Sequence, residues 1–321
     1  MSDPVLVLES ITKRFAGHTA VKSLSLAVAP GAVYGLLGPN GAGKTTTMRM
    51  IMNIIAPDQG SVRLFGEPYN SRDLSARIGY LPEERGLYKK MKVIEVLIFL
   101  AEAKGIARRM AKQRAGEWLN RLGLADWGQK KVDDLSKGMQ QKVQFISTVL
   151  HDPALLVLDE PFAGLDPVNA QVMKDTVLEL ARKGATVLFS THIMEHAEKL
   201  CDSVCIIARG EKVVDGPVAE VKRRHGGRHH VVVAVERGSE AVDRVWTDRS
   251  LVAKAHNYGQ YAEVELADGA DPQRLLTTIL GAGARISRFE VTEATLNQVF
   301  IDLVGPDAAR PAARAEGSAN A

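Results

Sequence analysis

The sequence predicts an α/β fold over roughly the first 220 residues and a small α+β domain after them. Two observations lead to this prediction. In the first part, short apolar segments alternate with longer segments of helical periodicity, which is typical of strands connected by helices. A basic segment, Lys222–His230, then interrupts the pattern, and a second, shorter series of strand-like and helix-like segments follows it.

Four strands are expected in the first part. Three of them are short, mainly apolar runs at Val33–Leu37, Leu155–Leu158 and Thr186–Ser190. Such runs are typical of strands that are covered on both faces. From position 24 to position 28, apolar and polar residues alternate, which predicts a strand with one buried face.

Helices are expected between these strands. Thr45–Ile55 is predicted to be helical and ends before Pro57, and residues 92–123 have a mainly helical pattern. A further helix is predicted to begin near Ser136, because apolar residues then recur at helical spacing until Asp152 and Pro153 end the pattern. These residues are Met139, Val143, Ile146 and Leu150.

The second part is predicted to contain three strands and two helices. The strands are expected at Val231–Glu236, Tyr261–Leu266 and Ile286–Val291, and the helices at Asp271–Leu280 and Thr295–Val304. We interpret the segment Lys222–His230 as a linker, with a membrane-surface or nucleic-acid contact as the alternative. The predicted domains are therefore 1–222 and 223–305. The tail, 306–321, is rich in Ala, Pro and Gly and is predicted to be disordered.

Composition and charge exclude several classes of protein. Lys plus Arg number 41 and Asp plus Glu 38, so nucleic acid is not an expected partner. The longest apolar run, Val93–Ala101, contains Glu95 and falls well short of the roughly 20 residues that span a bilayer. The start of the chain lacks the pattern of a secretory signal, and two cysteines do not make a disulfide framework. A cytosolic location is expected unless a partner holds the chain elsewhere.

A glycine-rich segment between a predicted strand and a predicted helix fits the pattern G-x-x-x-x-G-K-[ST]. In such a loop the backbone N–H groups surround phosphates, the lysine reaches the outer phosphates and the hydroxyl ligates Mg²⁺. A chance match is the alternative, and the flanking strand and helix disfavour it. We expect ATP and Mg²⁺ to bind here. The candidate residues are Gly38, Pro39, Asn40, Gly41, Ala42, Gly43, Lys44, Thr45 and Thr46.

Two consecutive acids, Asp159 and Glu160, directly follow the predicted strand Leu155–Leu158. The carboxyl ends of strands in an α/β sheet face the ligand crevice. Asp159 is therefore a candidate Mg²⁺ ligand. Glu160 is expected to point the other way, and is a candidate general base for the attacking water. A surface acid pair is the alternative interpretation.

Upstream of this strand, the run Leu135-Ser-Lys-Gly-Met-Gln-Gln opens the predicted amphipathic helix. It resembles the signature of ABC ATPases, usually Leu-Ser-Gly-Gly-Gln, with Lys137 in place of the first glycine and the glutamine one residue later. The resemblance implies that Ser136, Gly138 and Gln140 contact nucleotide. A plain serine N-cap on a core helix is the alternative, and both interpretations can hold together.

Further matches follow in the order of the same family. Ala163-Gly-Leu-Asp166 resembles its D-loop, and Ser190-Thr-His192 its switch histidine. Phe15 stands where an aromatic residue stacks on adenine, with a buried core phenylalanine as the alternative. Over residues 5–220 the chain resembles the ATP-binding subunit of an ABC transporter. The resemblance implies a RecA-like core with an antiparallel β part and a helical subdomain, and a catalytic role for His192.

One position departs from the family pattern. The family usually has Gln after a Tyr-Leu-Pro strand end, whereas this chain has Glu83. A carboxylate can also ligate Mg²⁺, so Glu83 is a candidate metal ligand, with a solvent-facing loop acid as the alternative. The run that follows Pro82 and the segment Ala294–Ile301 resemble the ATPase subunits of sodium and drug exporters.

The resemblance implies an ATPase that pairs head to tail with a second cassette, as a homodimer or heterodimer, and drives separately encoded integral membrane permease subunits. Its expected location is the cytoplasmic face of the membrane, held there by those subunits. A soluble ABC ATPase acting on nucleic acid or ribosomes is the alternative. It is disfavoured because the 90 residues between Thr45 and Ser136 lack sustained heptads and the chain has one phosphate loop. The transported substrate and the role of the second domain are left open.

Overall fold

The structure is a computed structural model that describes residues 3–68, 72–84, 86–225, 230–237 and 239–305. Its contacts form two compact units, residues 3–217 with 304–305 and Val218–Leu303, which we describe separately. The domain limits taken from the sequence, 1–222 and 223–305, stay a prediction. The tail predicted at 306–321 lies outside the described residues.

The first unit contains ten strands and seven α-helices among its described residues. In chain order they are β1 (Leu6–Phe15), β2 (His18–Val28), β3 (Val33–Leu37), α1 (Lys44–Ile51), β4 (Gln59–Leu64), β5 (Glu67–Pro68), α2 (Arg72–Ala76), β6 (Ile78–Leu81), α3 (Val93–Ala103), α4 (Arg108–Arg121), α5 (Lys137–Val149), β7 (Leu155–Asp159), α6 (Pro167–Arg182), β8 (Thr186–Thr191), α7 (Met194–Leu200), β9 (Ser203–Ala208) and β10 (Glu211–Pro217).

A six-stranded sheet with the order β10-β9-β3-β8-β7-β6 forms the centre of this unit. Neighbouring strands from β9 to β6 are parallel, and β10 is antiparallel to β9. Every residue of β3, β7 and β8 is buried, as expected for strands covered on both faces. Because parallel strands end at the same edge, the residues that follow β3, β6, β7 and β8 meet there.

A second, antiparallel sheet has the order β2-β1-β4-β5. Its apolar residues share one core cluster with α1 and the central sheet, to which β1 contributes Leu6, Leu8 and Ile11. The helices α3, α4 and α5 lie between β6 and β7 in the chain. The first unit therefore has the antiparallel β part and the helical part that the resemblance implies.

The second unit is built on one antiparallel sheet with the order β12-β13-β11-β14. Twelve buried apolar residues form a core of its own. Its elements are α8 (Val218–His225), β11 (His230–Arg237), α9 (Ser239–Trp246), β12 (Val252–Asn257), β13 (Ala262–Leu266), α10 (Pro272–Gly281), β14 (Arg285–Thr292) and α11 (Leu296–Val304).

The second unit differs from its prediction in two ways. It has a fourth strand, β12, and a short helix, α9, beside the predicted elements. In addition, the start of the basic segment interpreted as a linker continues helix α8 as far as His225. Lys and Arg are good helix formers and are favoured near a helix C-terminus, which explains this extension. Residues 226–229 lie outside the described part.

None of the helices in the described part of the chain is long and apolar enough to cross a membrane. The most apolar segment noted in the sequence forms part of α3, which has 11 residues and contains Glu95.

Candidate nucleotide-binding site

The glycine-rich loop joins the buried strand β3 to the N-terminus of α1. Its backbone has positive φ angles of 155° at Gly38, 80° at Gly41 and 105° at Gly43. A Cβ atom on Gly43 would lie 2.4 Å from the carbonyl oxygen of Ala20. The loop therefore requires glycine at this position both for its conformation and for its close contact with the neighbouring backbone.

Lys44 turns back into this loop. Its Nζ atom donates hydrogen bonds to the carbonyl oxygens of Gly38 at 2.8 Å and Pro39 at 3.2 Å, and only 6% of the residue is exposed. Burial lowers the pKa of Lys44, while the nearby Glu160 and Asp159 oppose this shift. The ammonium group is thus held at the centre of the loop, 3.6 Å from Oε1 of Glu160.

Asp159, the last residue of β7, is completely buried. Its Oδ1 atom accepts a hydrogen bond of 2.5 Å from the hydroxyl of Ser190. Its Oδ2 atom is also buried and has no hydrogen-bond partner among the described residues. Burial raises the pKa of the Asp159 carboxyl, and the Ser190 hydrogen bond partly offsets this effect. Asp159 therefore presents one carboxylate oxygen with free acceptor capacity.

Glu160 points in another direction because its backbone has a positive φ of 47°. This conformation is rare for a residue other than glycine and costs on the order of 1–3 kcal/mol. Its backbone N–H donates to the hydroxyl of Ser190 at 3.0 Å. Its Oε1 atom lies 2.9 Å from Nδ1 of His192. The structure thus brings Glu160, His192 and Lys44 together.

Glu83 follows β6 and lies beside the phosphate loop. The hydroxyl of Thr45 lies 3.3 Å from Oε2 of Glu83. The Glu83 side chain is exposed, yet it lines the same cleft as Lys44 and Glu160. The position therefore combines the exposure expected of a loop acid with a contact to the candidate Mg²⁺ ligand Thr45.

The donor set at this edge suits Mg²⁺. Thr45 offers a hydroxyl, Asp159 an unpartnered buried carboxylate oxygen and Glu83 a carboxylate near that hydroxyl. Among the residues that the structure describes, no three His, Cys, Asp or Glu side chains form a cation site by themselves. Mg²⁺ is usually held by one or two carboxylates together with phosphates and water, so these oxygens fit that ion.

The loop, Lys44, Glu83 and Glu160 line a cleft of about 270 Å³. Two residues of β2, His18 and Ala20, also line it and were not predicted from the sequence. The ring of His18 stacks on Phe15 at a centroid distance of 6.0 Å. Because Phe15 is 44% exposed, the core interpretation of this phenylalanine is wrong. The cleft is lined by His18, Ala20, Asn40, Gly41, Gly43, Lys44, Thr45, Thr46, Glu83 and Glu160.

The signature residues do not line this cleft. Ser136 is exposed and caps α5 by accepting a hydrogen bond from the N–H of Met139 at 3.3 Å, so the capping interpretation holds. Gln140 uses its side-chain amide to bind the carbonyl oxygens of Val132 and Leu135.

Two more candidate residues lie near the starts of helices. Gly138, in the first turn of α5, lies beside Gly164 and Leu165. Asp166 caps α6, because its Oδ1 accepts a hydrogen bond of 3.0 Å from the N–H of Asn169, which lowers the pKa of Asp166. Both residues therefore lie near one end of these helices and outside the cleft of their own chain.

Comparisons with known proteins agree with this geometry. Residues 21–163 match the family model described as ABC transporter, and residues 216–304 match the model described as ATP-binding protein DrrA1-3-like, C-terminal domain. The chain is 42% identical over 301 residues to the uncharacterized ABC transporter ATP-binding protein YhaQ of Bacillus subtilis, covering 94% of this chain and 99% of that protein. This chain is an ABC transporter ATP-binding subunit.

Two other comparisons support this membership. The subunit is 32% identical over 312 residues to Nod factor export ATP-binding protein I of Burkholderia orbicola, covering 95% of this chain and 98% of that protein. A solved ATP-binding subunit of an ABC transporter matches with a TM-score of 0.65 and 29% identity, over 69% of this chain and 93% of that one. The predicted cassette with a small C-terminal α+β domain is confirmed.

Proposed function

We propose that this subunit hydrolyses ATP between two cassettes and thereby drives export through separately encoded integral membrane permease subunits. One observation carries the proposal. The loop lysine and an acid paired with a histidine line one cleft, and the preceding residue is an acid with an unpartnered buried oxygen. These groups provide phosphate binding, a site for a cation and a candidate base.

The phosphate loop binds the triphosphate. The backbone N–H groups from Asn40 to Thr46 and the N-terminus of α1 provide partial positive charge. Lys44 exchanges its carbonyl partners, Gly38 and Pro39, for the outer phosphates. Phe15, exposed beside the cleft, stacks on the adenine. These contacts bind and orient ATP.

Thr45, Asp159 and Glu83 hold Mg²⁺ in this proposal. When it is bound, Mg²⁺ supplies positive charge that offsets the negative charge of the phosphates. The free Oδ2 atom of Asp159 and the hydroxyl of Thr45 support this assignment. The carboxylate of Glu83 places additional negative charge at this edge, where the family usually has a neutral glutamine.

Glu160 accepts the proton of the attacking water, since its carboxylate faces the cleft beside Lys44. His192 holds this carboxylate in place through the hydrogen bond to Oε1. The backbone strain at Glu160 separates its side chain from that of Asp159, so one acid can serve as base while its neighbour binds the cation.

The second cassette completes the site. Ser136, Gly138, Gln140 and Asp166 lie outside their own cleft, and in a head-to-tail dimer they face the nucleotide of the other copy. The exposed Ser136 at the start of α5 and the N-terminus of this helix then meet the γ-phosphate. ATP binding favours the closed dimer and hydrolysis releases it. Homodimers and heterodimers both satisfy this arrangement.

Export through membrane partners is supported by the similarity to Nod factor export ATP-binding protein I. The subunit then lies at the cytoplasmic face of the membrane. To test this, the tagged full chain is isolated from membranes and the proteins that co-purify with it are identified. An integral membrane protein whose removal abolishes ATP-dependent transport supports the proposal. Co-purification with ribosomes or nucleic acid in place of a membrane protein supports a soluble ABC ATPase.

A further inference from the structure

Three polar residues form a line along one side of α5 and the turn after it: Gln144, Thr148 and His151. Their spacing of four and three residues places them on one helical face. Each bonds to a main-chain carbonyl of the β6 region. His151 Nε2 lies 3.1 Å from the oxygen of Ile78, and the Thr148 hydroxyl lies 3.3 Å from that of Tyr80.

These carbonyls belong to the outer edge of a strand. β6 is the last strand of the central sheet in the described part of the chain. The carbonyl of Arg77 accepts a hydrogen bond from Leu155 of β7, so the carbonyls of alternate residues, 78, 80 and 82, point away from the sheet. The polar line on α5 satisfies acceptors that lack a partner strand.

Gln144 ends this line beside the candidate site. Its side-chain Nε2 donates to the carbonyl oxygens of Pro82 at 3.2 Å and Glu84 at 3.1 Å, which are the residues on either side of Glu83. Since carbonyls only accept, the amide nitrogen must face this segment. The Oε1 atom is then buried without a hydrogen-bond partner in the described residues.

The unpartnered oxygen indicates that Gln144 has a role besides packing in the core. A buried acceptor without a donor costs free energy, which an apolar side chain of similar size avoids. The residue is only 4% exposed, and its two donor hydrogens are both used on the segment that carries Glu83.

We propose that Gln144 is a positioning residue that holds the Glu83 carboxylate beside Thr45 by fixing the main chain on both sides of Glu83. This inference rests on the proposed function of Glu83 in ATP hydrolysis. It also links Glu83 to the helix that begins at the signature. The same helix that starts at Ser136 holds Glu83, so the position of the signature and that of Glu83 are set together.

The test uses the full chain with Gln144→Met, which keeps the size of the side chain and removes its donors. We expect kcat for ATP hydrolysis to fall roughly tenfold, as for a displaced catalytic group, with a smaller change in KM. The Mg²⁺ concentration that half-saturates binding of a fluorescent ATP analogue should also rise. Thr148→Val is the matched control, because it removes the hydroxyl that contacts the carbonyl oxygens of Tyr80 and Gln144 but keeps both side-chain hydrogen bonds of Gln144 to the Glu83 segment.

A double-mutant cycle decides between positioning and general stability. If Gln144 acts through Glu83, then Gln144→Met has less than about a twofold further effect in a Glu83→Ala chain. If Gln144→Met lowers kcat equally in the parent and in the Glu83→Ala chain, the inference is overturned. The same holds if Gln144→Met and Thr148→Val have identical kcat and Mg²⁺ dependence. If Gln144→Met does not fold, Gln144→Leu takes its place in the same cycle.

The proposed function is tested separately by the parent chain. If the parent hydrolyses ATP and the Glu83→Ala variant is equally active, only the role of Glu83 and the inference about Gln144 are overturned. A parent that neither binds nor hydrolyses ATP, alone or with its membrane partner, overturns the proposed function as well.

Discussion

The Nδ1 atom of His192 and the Oε1 atom of Glu160 are 2.9 Å apart. A carboxylate only accepts hydrogen bonds, so Nδ1 carries the proton in this pair. The imidazole thereby orients the carboxylate of the candidate base, whose same oxygen lies 3.6 Å from Lys44. Movement of Lys44 toward phosphate would weaken this second contact and leave His192 as the partner that holds this oxygen.

Glu160→Gln should lower the rate of ATP hydrolysis by roughly 10²-fold or more, because an amide cannot take a proton from water. ATP affinity should change little, and the variant should accumulate as an ATP-bound dimer. Phosphate release and size-exclusion chromatography measure the two effects. Glu117→Gln, an exposed change on α4, is the control. Near-normal turnover of Glu160→Gln would remove Glu160 from the base role.

Lys44→Ala should weaken nucleotide binding itself, since the positive charge that faces the outer phosphates is lost. Equilibrium binding of a fluorescent ATP analogue measures the affinity. Lys183→Ala, which removes an exposed lysine paired with Glu179, is the control for the loss of one positive charge. An unchanged affinity in Lys44→Ala would contradict the placement of the phosphate loop.

If each ATP site is built from two copies of the chain, two inactive variants altered in different parts of the site should restore activity when they are mixed. Ser136→Arg should leave the phosphate loop of its own chain intact but prevent that chain from completing the site of a partner. Mixed with Lys44→Ala chains, it forms heterodimers with one intact site and one doubly altered site. Partial recovery of ATPase activity on mixing is the expected result. No recovery in heterodimers that are shown to form would mean that the sites are not shared or that both must act together.

Replacements of Glu83 should change the response to Mg²⁺. Glu83→Gln should keep measurable ATPase activity with a shifted Mg²⁺ dependence, because it removes negative charge near the phosphates. Glu83→Ala should lower hydrolysis more than nucleotide affinity. Both are measured across a Mg²⁺ titration with the membrane partner present, and Glu84→Gln is the neighbouring control. Curves that coincide with the parent would assign Glu83 to the solvent-facing loop.

His151 should make stability depend on pH. Burial is the main cause that lowers the pKa of His151 below its ordinary value of 6.5, and its Nδ1 atom is buried without a partner in the described chain. As the pH falls, His151 therefore takes up a proton at a higher pH in the unfolded chain than in the folded chain. The stabilising contribution is present above pH 6.5 and is lost as the pH falls toward the folded pKa, by at most about 1.4 kcal/mol per pH unit.

Urea unfolding of the parent and of His151→Gln between pH 8 and pH 5 measures this dependence. The variant cannot titrate at this position and keeps an amide donor for the carbonyl of Ile78. Its free energy of unfolding should therefore fall less steeply over the acidic part of the range. Parallel curves for the two chains would show that protonation of His151 is not linked to folding.

Much of the site could be predicted from the sequence because its residues are contiguous or end a strand. The phosphate loop has a strict spacing, and Asp159 and Glu160 follow a run of four aliphatic residues. The roles of Ser190 and Gln144 depend on which main-chain groups lie opposite them, and this is set only when β6, β7, β8 and α5 pack. A single sequence carries little signal for such contacts.

The missed elements of the second unit have a similar explanation. β12 contains Ala, Lys, His and Asn, which have low or modest β-propensity, and it is placed by pairing with β13. The helix α9 has eight residues, too few for a firm period. By contrast, the strongly alternating β13 was predicted nearly to the residue.

The hydroxyl of Ser190 donates to Asp159 and accepts from the backbone N–H of Glu160. A single oxygen atom on β8 therefore orders two neighbouring acids with different proposed roles. A shift of β8 therefore moves both acids together. Cation binding and water activation both depend on the position of this one hydroxyl. A substitution that displaces β8 to reposition one acid would therefore displace the other as well. A change in turnover rate that affects only one of the two acids requires substitutions away from Ser190.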